Sequence, residues 1–134
     1  MAVVNLGTGV LASGNASVKD EIAGVAILAG QAVYRDAADG RVKLASTSAA
    51  ANAAIGIALN SAPTAGQPVR VAWDGTLTGT ATLIVGEAYF VSDTAGSLGQ
   101  MSDVGTGDFV TFVGIAATAT SLKLRPFVSG VQHA

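Results

Sequence analysis

The sequence predicts an all-β chain: an internally duplicated antiparallel β-sandwich or barrel-like domain with an irregular N-terminal arm. Three observations predict it. Short runs alternate polar and apolar residues, as in Arg41-Val42-Lys43-Leu44 and Gln67 to Trp73, the period of a half-buried strand. Asp-Gly and Pro-containing stretches break the chain at short intervals, as turns do. A set of segments then recurs in the same order.

The elements follow along the chain. Residues 1–24 are irregular: Gly7, Gly9, Gly14 and Gly24 separate short apolar pieces such as Val3-Val4 and Val10-Leu11. They read as an arm or a first irregular strand. Gln31 to Arg35 and Arg41 to Leu44 flank Asp39-Gly40, whose glycine can take the positive φ of a hairpin turn. Thr47 to Ala54 is Ala-rich, with room for one helical turn and no more. Ile55 to Leu59 is a short apolar strand, and Asn60 to Gly66, with Pro63, is a turn. Gln67 to Trp73 places Val69, Val71 and Trp73 on one face, and Asp74-Gly75 ends it. Thr76 to Thr82, rich in Thr and Gly, suits strands in close backbone approach.

The repeat is the most informative feature. Ala29-Gly30-Gln31-Ala32-Val33-Tyr34 matches Val85-Gly86-Glu87-Ala88-Tyr89-Phe90. At the same offset Gly40 matches Gly96 and Val42 matches Leu98. Ile55-Gly56-Ile57-Ala58 matches Val113-Gly114-Ile115-Ala116, and Val69-Arg70-Val71 corresponds to Leu122-Lys123-Leu124. Two similar units, about 25–75 and 81–130, therefore build a single β domain over 25–134. Each has an apolar face to hide, and packing the two units together hides it.

Composition narrows the function. The chain has 134 residues, enough for a core without a metal or disulfide staple. Charged residues make up 12% and apolar residues 50%, and Gly contributes 17. About a quarter is charged in ordinary soluble domains. So little charge points to a surface covered by an oligomer or a larger body. Seven basic residues are scattered among nine acids without a basic stripe, so nucleic acid is not an expected partner. Apolar stretches such as Ile22 to Ala29 fall far short of the roughly 18 residues that span a membrane. Met1 to Leu11 lacks the basic start of a secretory signal.

Catalysis finds no support. There is no cysteine, and the single histidine is His133, so neither a Ser-His-Asp triad nor a Cys-His pair is expected. The acids sit beside glycine or in turns, where Asp is favoured for conformation; Glu87 lies in a strand, but its repeat counterpart is Gln31. Asp36 and Asp39 share one turn, too few carboxylates for a tight calcium site. Gly-Thr-Gly at 7–9 and 105–107 lacks the Lys-Ser/Thr of a phosphate loop. No cofactor, metal or catalytic residue is assigned.

The order Gly-Gln-Ala-Val-Tyr, Asp-Gly-Arg-Val, Ile-Gly-Ile-Ala, Gly-Gln-Pro-Val-Arg-Val, Gly-Glu-Ala-Tyr-Phe-Val-Ser and Leu-Lys-Leu, over about 25–130, resembles small phage capsid decoration (cement) proteins. Residues 1–24 fit that pattern least. The resemblance implies a non-enzymatic virion protein, often trimeric, assembled in the host cytoplasm. It sits on the outer capsid near threefold axes and clamps neighbouring capsomers. Its partners are then the major capsid protein and itself. Val3, Val4 and Leu6 in the arm, and Trp73 as an interface anchor, are the expected contacts with capsid or subunit. The competing reading is a head-fibre base or tail-associated protein that binds a host surface.

Overall fold

A computed structural model describes residues 4–47, 55–79, 82–100, 104–105 and 107–132. The chain is all-β: an antiparallel curled sheet forms a half-barrel with extra strands. The strands are β1 (Leu11–Ala12), β2 (Ser17–Ile22), β3 (Ala32–Arg35), β4 (Val42–Leu44), β5 (Ile55–Ala58), β6 (Pro68–Thr78), β7 (Ala88–Val91), β8 (Leu98–Gly99), β9 (Phe109–Ala116) and β10 (Ser121–Gln132). Of the Ala-rich stretch 47–54, only Thr47 lies within the described residues.

The sheet order is β4-β3-β5-β6-β10-β9-β7-β8, with β1 and β2 also paired to β6. The order is a palindrome of the repeat. The first unit, β3 to β6, meets the second, β7 to β10, where β6 and β10 pair antiparallel. The duplication extends to single hydrogen bonds. Gly30 N donates to Ala58 O and Gly86 N to Ala116 O, at 2.7 and 2.8 Å. Ala58 N donates to Gln31 O and Ala116 N to Glu87 O. Gly30 and Gly86 both hold positive φ, 89° and 82°.

Strand β6 belongs to both halves. Its first part pairs with β5 on one side and β2 on the other; its last part pairs with β10 and β1. Asp74-Gly75 was expected to end this strand, but the chain continues to Thr78. The reason is a bulge: Ser17 opposes Asp74 and Val18 opposes Ala72, leaving Trp73 as the extra residue. Gly75 follows at φ 110°, with Ala16 where its Cβ would be. Ahead of the bulge, Val69 and Val71 face one hydrophobic cluster and Ala72 the other. Beyond it the odd-numbered Leu77 faces the cluster that Ala72 faces. One extra residue has exchanged the faces.

Two cores result. The smaller (Ala23, Ile27, Val33, Val42, Ala58, Ala62, Val69 and Val71) fills the curl of the first unit. A bridge from Ala23 to Val42 brings the end of β2 round to β4 and closes that curl. The larger core lies between the units. Ala32, Ile55, Ile57 and Ala72 of the first unit pack with Tyr89, Val91, Leu98, Val113, Ala116, Leu122 and Leu124 of the second.

The N-terminal segment is stitched into this body. Val4 exchanges backbone hydrogen bonds with Leu98 at β8, and Leu6 N donates to Gly30 O. Leu6 is fully buried in the larger core, a burial worth about 1.5–3 kcal/mol. The segment crosses so close to the turn at Gly30 that a Cβ there would collide with the Gly7 backbone, whereas the space around Gly86 is open. Gly86→Ala should therefore cost only the strain of positive φ, about 1–2 kcal/mol. Gly30→Ala should cost on the order of 3 kcal/mol or more, because backbone must also move. Urea unfolding of the two variants checks this; equal losses would contradict the crossing.

Candidate attachment surface

An antiparallel sheet with one face on a core normally turns a polar face outward. The second unit does not. Register places Ala88, Ile115 and Lys123 in one row across β7, β9 and β10, and Phe90, Phe112 and Phe127 in the next. The inward row between them is Tyr89, Gly114 and Leu124. At Gly114 a Cβ would press on the Lys123 carbonyl, so only glycine lets β9 and β10 approach here. Phe90 and Phe112 meet edge to face, centroids 5.8 Å apart at 74°, a favoured aromatic geometry. Ile115 remains 44% and Phe127 65% exposed.

The repeat shows what this face is. In the first unit the matching pair, Ala32 opposite Ile57, has the same register as Ala88 opposite Ile115. Ala32 and Ile57 are wholly buried beneath the second unit. The same cross-strand pair is covered in one copy and uncovered in the other. Further apolar side chains are exposed at Leu28 and Ile84, which occupy equivalent turns, and at Leu11, Ile22, Val25 and Val85.

A family model described as Phage cement protein matches residues 2–73, more than half of the chain. The chain belongs to that family. The match takes in the arm that fitted the sequence pattern least, and it ends at the β6 bulge. No curated protein and no solved structure matches. The family places the cement protein as a structural, capsid-associated component of a phage virion.

The cement protein uses its expected contact residues in several ways. Val3 lies outside the described residues. Val4 is half-buried and already bonded to Leu98. Leu6 is fully buried, enclosed by the larger core. Trp73 packs against the smaller core, half-buried, with the Arg35 guanidinium 5.3 Å from its ring centroid. Arg35 in turn pairs with Glu21. The indole Nε1 is buried with no hydrogen-bond partner among the described residues. The Phe90–Phe112–Phe127 row has no local sequence signal: the match of Phe90 to Tyr34 does not say which face is covered, and a bulge in β9 hides the register that brings Phe112 beside it.

The other candidates are accounted for locally. Lys43 Nζ lies 2.7 Å from Asp36 Oδ2 and 3.3 Å from Asp39 Oδ2, so the turn carries its own cation. No group of three or more His, Cys, Asp or Glu side chains with metal-site geometry occurs among the described residues. His133 and Asp103 lie outside them. No helix among the described residues is long and apolar enough to cross a membrane.

The Lys43 hydrogen bond, aided by the Ala38 amide, holds Asp36 below the usual carboxylate range. Asp39 is lowered too, chiefly by the Arg41 amide and then by Lys43. A carboxylate with a lowered folded pKa contributes stability above its unfolded pKa and loses it as pH falls through the folded value. The contribution is therefore full at neutral pH and vanishes only in acid. An NMR titration should find Asp36 titrating below an ordinary aspartate and moving back up in Lys43→Ala. An unchanged Asp36 in that variant would contradict the pairing.

Proposed function

We propose that the chain decorates and stabilises the outer surface of a phage capsid as a homotrimer, bound to the major capsid protein and carrying out no catalysis. The observation that carries the reading is the uncovered apolar face of the second unit, in a chain whose family is the phage cement proteins. An apolar face on an otherwise well-packed subunit is stabilised by being covered. Many identical contacts, multiplied over an oligomer and over the shell, provide avidity without a single strong site.

The chain acts in this reading as one β domain, 25–134, of two similar units, with 1–24 tied across both. Because β6 pairs with strands of both units, the subunit transmits load as one body between capsomers. That suits resistance to heat and internal pressure. Assembly takes place in the host cytoplasm on expanded shells.

Purified protein added to expanded, undecorated shells of the parent phage should co-sediment and saturate at a fixed multiple of the threefold sites. The shells should then withstand higher temperature before releasing their contents. Folded protein that fails to bind shells would contradict the proposal.

A further inference from the structure

We propose that the outer face of the second unit docks an apolar, carboxylate-bearing segment of the shell protein, and is not a contact between two copies of that face. The inference rests on the capsid reading above and adds the surface and the chemistry of its partner.

The charges argue for an acidic occupant and against this face meeting its own copy. Lys123 and Arg125 are exposed on β10 beside the aromatic row, Lys123 in the row of Ala88 and Ile115. Among the other basic residues Arg35, Lys43 and Arg70 each have a carboxylate partner, and Lys19 and Arg41 have none among the described residues. Lys123 and Arg125 likewise have none among the described residues. No Asp or Glu stands in either outward row. A groove of about 370 Å³ over the β6–β10 seam is lined by Thr76, Lys123 and Arg125, with Asp74 its one acid. The face thus combines apolar bulk with net positive charge in a chain of net charge −2.

An interface of this face with its own copy about a twofold axis repeats each residue across the contact. It would bring Lys123 and Arg125 toward their images while removing water, and like-charge repulsion disfavours that arrangement. A carboxylate-bearing partner turns the same cations into attractions.

Next to the groove, and sharing Asp74 and Arg125 with it, lies a cleft of about 240 Å³ lined also by Ile55, Trp73 and Pro126.

The test uses the full chain and expanded, undecorated shells of the parent phage. Lys123→Glu/Arg125→Glu reverses the two cations. Phe127→Ser removes an exposed apolar side chain and should leave folding intact. Lys19→Glu/Arg41→Glu applies the same change of net charge at exposed cations away from the face. Circular dichroism and sedimentation velocity follow fold and oligomeric state. The expected result is at least tenfold weaker shell binding for both face variants, with oligomeric state unchanged and the control binding like wild type. Face variants that bind shells like wild type would overturn the inference while the cement function stands. Face variants that lose their oligomeric state would make the face a contact between copies, which also overturns it. If wild type itself fails to bind, the capsid reading falls and this inference with it.

Discussion

The bulge at Trp73 is the constraint on which the rest of the structure depends. A regular strand shows one parity of residues to each side along its whole length. A strand that must line the curl of one unit and then the core between two units needs that parity reversed midway. Trp73 supplies the extra residue, and Gly75 accommodates the bend where Ala16 presses close. Val69 and Val71 can then fill the smaller core and Leu77 the larger. Without the extra residue, Leu77 would turn away from the interface and Thr76 or Thr78 would be driven in. Each buried hydroxyl without a partner would cost about 1–3 kcal/mol. The long strand is thus both the hinge of the fold and its continuous tie.

Duplication explains the unusual surface. Two units of similar sequence carry the same two faces, but stacking them uses the outer face of the first and the inner face of the second. The inner face of the first is closed by Ala23, Ile27 and Ala62 from its own loops. Among the described residues, nothing covers the outer face of the second. Phe90, Phe112, Ile115 and Phe127 are therefore a remainder of the architecture, retained as apolar rather than converted to the charged face usual for a solvated sheet.

Much of this was legible in the sequence. The alternation of 67–71 and 41–44, the hairpin at Asp39-Gly40 and the order of repeated segments all lead to the observed strands, because period and turn chemistry are local properties. The palindromic sheet order follows from the repeat once β6 and β10 are known to pair. What was not legible depends on long-range register. Asp74-Gly75 has the chemistry of a turn, and only the pairing with β2 makes it the end of a bulge within a longer strand. Leu6 sits among glycines with no periodicity, so its burial between Gly30 and Gly79 has no local signal. Phe90 aligns with Tyr34, yet one faces the inter-unit core and the other lies outside it, because the two copies differ in what covers them.

A fold held by one bulged strand leaves uncovered the face proposed to carry the function. A cryo-electron microscopy reconstruction of the decorated shell tests it most directly. The account predicts that β7, β9 and β10 turn the Phe90–Phe112–Phe127 row and the Lys123–Arg125 edge onto the shell protein, with shell carboxylates beside the two cations. A reconstruction in which that row faces solvent, while another surface of the subunit meets the capsid, would contradict it.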